Sequence, residues 1–209
     1  MKPAELPAKT ANARTEQRRT ELIETASRLI FERGYHEVTV ADIAAELGVG
    51  HGTFYNYFGN RRDILDAVID TRFAAINERV IGGDGAPAHT MEEFLTAATG
   101  IAQRLYTALT EDPGLVRFVL FEAPAIDQAL IDRLDAILEE MALLSRTRLD
   151  DGIRAGYLRP DLDSAVVGRS VMSLIFATAL GALSEPEGLS GDDFVGALAD
   201  LLRHGLGTR

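Results

Sequence analysis

The sequence contains no cysteine, and this absence excludes several kinds of site. Without thiols the chain can form no disulfide framework, no thiolate metal site and no cysteine nucleophile. Nothing therefore requires an oxidising compartment, and we expect the protein to lie in the cytoplasm.

Recognisable catalytic and metal-binding motifs are also lacking. No HExxH helix, phosphate-binding loop or Ser-His-Asp arrangement can be assembled from local sequence. The histidines are scattered without metal-ligand spacing, at His36, His51, His89 and His204. We therefore expect no metal, no cofactor and no enzymatic activity.

Long hydrophobic runs are scarce as well. The most apolar segment, Val171 to Leu183, is shorter than the roughly 20 residues that a membrane helix needs, and Arg169 precedes it. This pattern predicts a buried helix and no membrane association. Residues 1–15 alternate Pro, Ala and charged residues without the apolar run of a secretory signal, so they are predicted to be a flexible arm.

The charge is unevenly distributed. The net charge is −11, which argues against a general affinity for nucleic acid. Residues 1–62, however, hold nine Lys and Arg against eight Asp and Glu, whereas the remaining residues hold 12 against 24. The acidity lies in the C-terminal part, and the N-terminal part remains able to approach an anionic partner.

Apolar residues recur at helical spacing along most of the chain, and no segment shows convincing strand alternation. The pattern predicts an all-α fold of about nine helices. We expect a flexible arm at 1–15, a three-helix helix-turn-helix domain at 16–60 and a larger helical bundle at 61–209. The predicted helices are 16–33, 39–47, 51–58, one starting near 61, then 90–110, 113–122, 126–155, 161–183 and 191–206.

The segment GVGHGTFYNYFGN, residues 48–60, combines four glycines with four aromatic residues. On a helical wheel Phe54 and Phe58 share one face, which predicts that they anchor a short helix against the first two helices. The opposite face carries Gly52, Thr53 and Asn56, and tyrosines flank it. Small and hydrogen-bonding residues suit a helix that enters the major groove of DNA.

The stretch RRTELIETASRLIFERGYHEVTVADIAAELGVGHGTFYNYFGNRRDILDAVI, residues 18–69, resembles the TetR-type (tetracycline repressor) transcription regulators. The matching features are Phe-x-x-x-Gly-Tyr at the end of helix one, Thr-Val-x-x-Ile-Ala at the start of helix two, and Gly-Thr-Phe-Tyr-x-Tyr-Phe in the reading helix. The resemblance implies a DNA-binding transcriptional regulator, most simply a dimeric repressor that binds a palindromic operator and is released by a small ligand.

DNA contacts are carried over by this resemblance to individual positions. Arg61 occupies the place where the family usually has a phosphate-binding lysine. Gly50 and His51 depart from the family, which often has Ser or Thr and Lys or Arg there, so the local phosphate contacts differ. The predicted DNA-binding residues are Thr39, Gly50, His51, Gly52, Thr53, Tyr55, Asn56, Tyr57 and Arg61.

The C-terminal helices are implied to enclose a pocket for a small, largely apolar effector and to form the homodimer interface. Predicted pocket residues are Phe94, Ile101, Leu105, Phe118, Phe121, Met141, Leu144, Met172 and Phe176. Predicted interface residues are Val171, Leu174, Ile175, Phe194, Leu198 and Leu201. The alternative is a helical ligand-binding or protein-interaction module with a vestigial DNA reader, and an enzyme is more distant.

Overall fold

A computed structural model describes residues 8–81, 87–184 and 190–208. Within these ranges the chain forms nine α-helices and no β-strand, apart from an isolated bridge between Leu158 and Gly207. The helices are α1 (Ala8–Arg33), α2 (Val40–Glu46), α3 (His51–Tyr55), α4 (Arg61–Ile81), α5 (Met91–Glu111), α6 (Pro113–Arg117), α7 (Gln128–Ala155), α8 (Ser164–Ser184) and α9 (Gly191–Leu206). The prediction of an all-α fold is confirmed.

The chain divides into two compact units, Met1–Arg72 and Phe73–Arg209. The division falls inside α4, whereas the sequence analysis placed the domain boundary before its first residue. The reason is visible in the burial pattern, because apolar residues in the first turns of α4 belong to the core of the first unit. These residues are Ile64, Leu65, Val68 and Ile69, all fully buried.

The first unit is built around the buried face of α1. Leu22, Ala26 and Leu29 repeat at helical spacing and are inaccessible to solvent, and Ile43 of α2 and Phe54 of α3 are equally buried. Burying these side chains offsets the cost of ordering two helices of only seven and five residues.

The second unit is a bundle in which α5 packs against α8 and α9, and α7 packs against α8. Gly168 permits the close approach of α8 to α7. A Cβ atom at this position would lie 3.4 Å from the backbone nitrogen of Arg146 and 3.5 Å from the carbonyl oxygen of Ala142. These are ordinary van der Waals distances, so alanine would fit, and a longer side chain would push the two helices apart.

Several predicted helix boundaries were wrong. Helix α1 begins at Ala8, so residues 8–15 of the predicted arm are helical, and residues 1–7 lie outside the described residues. The reading helix α3 ends at Tyr55 and not at Phe58, because the chain turns at Asn56 and Tyr57. The single helix predicted at 113–122 is instead α6 followed by a π-helical turn, Phe118–Glu122.

Helix α8 differs from its prediction in exposure. Its stretch Ser164–Ala182 is long and apolar enough to cross a membrane by length and composition alone, and its mean hydropathy is 1.6. Only 22% of that stretch is buried inside the protein. The expected buried helix is therefore only partly buried, because small and apolar residues occur around its whole circumference.

Candidate nucleic-acid interface

The turn between α2 and α3 is held in a defined shape. Thr39 caps α2: its hydroxyl accepts a hydrogen bond from the backbone nitrogen of Asp42 (3.2 Å), and the Asp42 carboxylate accepts one from the backbone nitrogen of Thr39 (2.8 Å). Gly48, with φ of 67°, adopts the left-handed conformation that ends the helix. The predicted helix-turn-helix is confirmed in its local geometry.

Helix α3 is anchored as predicted by its two phenylalanines. Phe54 is fully buried and Phe58 is 5% exposed, and their ring centroids lie 5.7 Å apart. The guanidinium of Arg19 on α1 lies 5.3 Å from the centre of the Phe58 ring. One side of the segment is thereby fixed to the core of the first unit.

The opposite side faces solvent. His51, Gly52 and Asn56 are exposed, and Tyr55 exposes 52% of its surface. The rings of His51 and Tyr55 meet edge to face with centroids 5.3 Å apart, which restrains the tyrosine on the helix surface. Thr53 and Tyr57, at the margins of this face, are half-buried. An exposed tyrosine framed by small polar residues has the form of a surface that meets a partner.

Gly50 and Gly52 are not explained by packing within the chain. Gly50 has φ of −69°, which any residue adopts, and a Cβ there would meet only the Thr53 hydroxyl at 4.0 Å. A Cβ at Gly52 would have no atom within 4 Å. Since the fold does not require glycine at either place, the glycines are best explained by the close approach of a partner.

Arg61 has intramolecular contacts that the sequence did not reveal. Its guanidinium lies 4.2 Å from the centre of the Tyr35 ring, and its Nη1 atom donates to the carbonyl oxygen of Val38 at 2.9 Å and to that of His36 at 3.4 Å. Arg61 thus ties the first turn of α4 to the segment that links α1 and α2. It serves the fold of the first unit as well as any role on DNA.

The sequence analysis did not identify Asn60, the residue before Arg61, as a helix cap. Asn60 caps α4, because its side-chain oxygen accepts hydrogen bonds from the backbone nitrogens of Arg62 (2.7 Å) and Asp63 (3.0 Å). Asp63 in turn accepts a hydrogen bond from the backbone nitrogen of Gly59 (3.0 Å). The sequence does contain a signal for this cap. It is an asparagine followed three residues later by an acidic residue, ahead of an apolar run.

The described residues of the second unit line a cavity of about 290 Å³ and another of about 50 Å³. Five predicted pocket residues line the larger cavity: Ile101, Leu105, Met141, Leu144 and Met172. Phe94, Ile101 and Met172 line the smaller one.

Three other predicted pocket residues line neither cavity. Phe118 is fully buried in the core, and Phe176 is half-buried. Phe121, in the π-helical turn, is 64% exposed. The π-helical turn explains this last difference, since it changes the direction of the side chains that follow α6.

The predicted interface residues also divide into two groups. Ile175, Phe194 and Leu198 are buried within the chain, and the Phe194 ring stacks on Tyr106 with centroids 5.7 Å apart. They are core residues, because they belong to the faces by which α8 and α9 pack onto α5. Three others reach the surface: Val171 is half-buried, Leu174 is 39% exposed and Leu201 is 58% exposed. The sequence analysis missed Val166, which is 60% exposed.

Comparison with known proteins identifies the family. Residues 22–68 match the family model described as "Bacterial regulatory proteins, tetR family". The chain is 26% identical over 161 residues to the fatty acid metabolism regulator protein of Bacillus subtilis (strain 168), covering 76% of this chain and 79% of that one. It is also 26% identical over 159 residues to the HTH-type transcriptional repressor KstR2 of Mycobacterium tuberculosis, covering 74% and 76% of the two chains.

Solved structures agree over almost the whole chain. The transcriptional regulator FadR from Bacillus subtilis, in complex with stearoyl-CoA, superposes with a TM-score of 0.76 at 23% identity, covering 89% of this chain and 98% of that one. A putative transcriptional regulator from Saccharomonospora viridis, in complex with choline, gives 0.72 at 25% identity, covering 93% and 100%. Residues 22–68 therefore form a DNA-binding domain of the TetR family, and the chain as a whole has the fold of these transcription regulators.

Proposed function

We propose that the protein is a cytoplasmic repressor that binds a palindromic operator as a homodimer and leaves it when a small effector enters the second unit. The observation that carries this proposal is the exposed face of α3. Its tyrosine, asparagine and glycines point to solvent while Phe54 and Phe58 hold the helix from behind. Such a helix is the reading element of a helix-turn-helix.

The DNA contacts follow from this surface. Tyr55, Asn56 and Thr53 carry hydrogen-bond donors for base edges or phosphates, and the bare backbone at Gly50 and Gly52 allows close approach. His51 and Tyr57 lie at the margins of the same face. Thr39 has its hydroxyl hydrogen bonded to the Asp42 carboxylate (2.6 Å), so we assign it first to capping and second to phosphate contact.

Dimerisation explains the exposed helix α8. A stretch with mean hydropathy of 1.6 that is only 22% buried is unfavourable in water, and a second copy would cover it. The exposed leucines Leu174 and Leu201 and the small residues beside them suit close packing across a two-fold axis. Two reading helices held in one dimer match a palindromic site.

The effector would bind in the larger cavity. Its lining is mainly apolar and includes Met141 and Met172, whose flexible thioethers adapt to ligands of different shape. Two of the ligand-bound structures similar to this chain hold ligands of opposite charge, an anionic acyl-CoA and cationic choline. Similarity therefore supports an effector site without fixing the charge of the ligand.

Release follows from the connection of α4 to both units. The helix begins at the reading segment, where Arg61 and Asn60 fix its first turn, and Asn77 and Val80 near its end line the cavity. A ligand that binds one position of this α4 segment better than another would shift the population of DNA-competent dimers. In this proposal α4 couples effector binding to DNA binding.

The test is a fluorescence anisotropy titration of the purified full-length protein against DNA from upstream of its own gene. We expect sequence-selective binding that weakens as salt rises, because phosphate contacts release counterions. Tyr55→Ala should weaken binding about tenfold or more without loss of helicity. Phe121→Ala, at an exposed aromatic residue of the second unit, serves as the matched control and should bind normally.

The alternative, a helical module with a vestigial reader, makes the opposite prediction. It expects no selective complex with any upstream fragment and equal behaviour of Tyr55→Ala and wild type. The exposed polar face of α3, with Phe54 and Phe58 anchoring the helix from behind, supports the main proposal over this alternative.

A further inference from the structure

We propose that the larger cavity of the second unit selects an effector with an apolar body and a neutral or positively charged polar group, and disfavours carboxylic acids and CoA thioesters. This inference rests on the proposed function, because it concerns the effector that would release the repressor. It is carried by the side chains around the cavity and by Glu140 in particular.

The lining of the larger cavity contains one ionisable side chain. Most lining residues are apolar, and Asn77, Ser145 and Thr147 add neutral polar atoms. Glu140 is the exception, and it lies on the same face of α7 as Leu143, Leu144 and Thr147. Since Glu140 and Leu143 are both exposed, they form the solvent side of the cavity, where the polar group of an amphipathic ligand would lie.

The Glu140 carboxylate has no counter-ion among the described residues. Its neighbour Glu139 forms an ion pair with Arg169 of α8, whereas no cation pairs with Glu140 anywhere in 8–81, 87–184 or 190–208. A free carboxylate beside apolar surface attracts an ammonium group and accepts hydrogen bonds from alcohols or amides. It repels a second carboxylate or a phosphate.

The charge of the whole second unit acts in the same direction. Residues 73–209 contain 11 Lys and Arg against 21 Asp and Glu. An anionic ligand must therefore approach a surface of its own sign, which lowers both its local concentration and its rate of association. The four or so negative charges of a CoA thioester would find no cationic side chain among the residues that line the larger cavity.

Two cations lie nearby, and neither lines the larger cavity. The Nε of Arg104 donates a hydrogen bond to the carbonyl oxygen of Val80 at 3.1 Å. Arg148 lines the smaller cavity, which shares Ile101, Ser145 and Met172 with the larger one. The negative charges of Asp151 and Glu93 act on the same Tyr157 hydroxyl as the positive charge of Arg148. The smaller cavity, of about 50 Å³, is otherwise lined mainly by apolar side chains.

Size narrows the ligand further. The larger cavity, of about 290 Å³, is at the lower limit of small-molecule sites, which span roughly 300–1,000 Å³. Together with the smaller chamber it can enclose a short alkyl chain or a compact ring. The bulky nucleotide part of a CoA thioester would have to remain outside, next to Glu140.

The experiment uses one chain length with three head groups, namely octylammonium, 1-octanol and octanoate, together with octanoyl-CoA. Binding to the full-length protein is measured by calorimetry and by the shift of its thermal transition, at fixed ionic strength. We expect octylammonium to bind about tenfold more tightly than octanoate, because the attraction of the ammonium group and the repulsion of the carboxylate by Glu140 each contribute about threefold. Octanol should lie between them, and octanoyl-CoA should bind no better than octanoate.

A pair of variants separates the local carboxylate from the net charge. Glu140→Gln and Glu139→Gln change the net charge equally, but only Glu140 lines the cavity. Glu140→Gln should reduce the preference for octylammonium over octanoate at least about threefold, and Glu139→Gln should retain it. Tighter binding of octanoate or octanoyl-CoA, equal effects of the two variants, or no binding of any probe would each overturn the proposal.

Ligand binding is measured here without DNA, so its outcome is distinct from that of the proposed repressor function. If the protein binds octylammonium through Glu140 but no upstream DNA, the proposed function fails and the ligand assignment stands. If it binds operator DNA yet prefers octanoate, the charge assignment fails and the repressor stands.

Discussion

At the scale of single residues, a substitution at Gly52 should affect protein stability and DNA binding in opposite directions. A Cβ at this position meets no atom within 4 Å, and the residue lies inside helix α3. Gly52→Ala should therefore raise the free energy of unfolding by about 0.5–1 kcal/mol, since alanine loses less backbone entropy in a helix. Thermal melts of the free protein measure this gain.

The same substitution should weaken operator binding, because the added methyl group would stand between the helix and the groove. Anisotropy titrations should show a loss of about tenfold or more, in the opposite direction to the change in stability. Gly196→Ala is a matched control, because a Cβ there also meets nothing within 4 Å and α9 belongs to the second unit. Unchanged affinity in Gly52→Ala would show that this backbone does not approach DNA.

Arg61 poses a related question of role. Its contacts to Tyr35 and to the carbonyl oxygen of Val38 predict that it positions α4 against the first unit. Arg61→Gln should lower both thermal stability and operator affinity, while the slope of log affinity against log salt concentration stays near that of wild type. A phosphate contact would instead reduce this slope by about one. The salt titration distinguishes the two roles, and Arg61→Lys, which keeps the charge but loses the planar stacking group, is the control.

Residue-level prediction from the sequence succeeded where helical periodicity decides the outcome. The burial of Phe54 and Phe58 and the exposure of Tyr55 follow from their spacing on one short helix. Burial could not be predicted for a helix that carries apolar residues on both of its faces. Ile175 and Leu174 are neighbours of similar hydrophobicity, yet one is 2% exposed and the other 39%, because only tertiary packing against α5 and α7 distinguishes them.

At the scale of elements, the stability that the α2 cap gives to the first unit depends on pH. The hydrogen bonds from the Thr39 side chain and backbone lower the pKa of Asp42 below its ordinary value of 3.8. A group whose pKa is lowered on folding stabilises the native state above its unfolded pKa, and this stabilisation is lost as the pH falls through the folded value. The cap should therefore remain intact at neutral pH and fail only in acid, below about pH 4.

Acid titration followed by circular dichroism checks this expectation with Asp42→Asn. The variant should be less stable than wild type at pH 7, and the difference should shrink as the pH falls below 3.8, where protonation removes the carboxylate from the wild type as well. A difference that is constant from pH 7 to pH 3 would mean that the ionised carboxylate does not contribute through the cap.

Elements with strong end signals were predicted well, and those governed by packing were not. Thr39 with Asp42, and Ser190 ahead of Asp193, are capping pairs that the structure contains at the starts of α2 and α9. The π-helical turn at Phe118–Glu122 had no comparable signal, since its residues read as a continuous apolar helix until Pro124. That turn also places Phe121, one of the predicted pocket residues, on the surface.

At the scale of the whole molecule, the two units divide their tasks by charge. Residues 1–72 hold 10 Lys and Arg against 11 Asp and Glu, close to neutral, and residues 73–209 carry the remaining net charge of −10. A nearly neutral reading unit limits nonspecific attraction to DNA, so affinity must come largely from shape and hydrogen bonding. Under the proposed function we expect each reading helix to bind weakly alone, so that two linked helices are needed for a stable complex.

Under the proposed function, dimerisation is the property on which operator binding most depends, and the exposed leucines of α8 and α9 test it. Leu174→Glu combined with Leu201→Glu would place two charges in the proposed interface, where an unpaired buried charge is strongly destabilising. We expect the dissociation constant of the dimer to rise about a hundredfold or more and operator affinity to fall with it. Analytical ultracentrifugation and anisotropy titration measure the two effects on the same samples. Leu120→Glu changes a leucine that is 37% exposed in the π-helical turn and should leave both unchanged. If the double variant remained dimeric at micromolar concentration, the interface would not lie on α8 and α9.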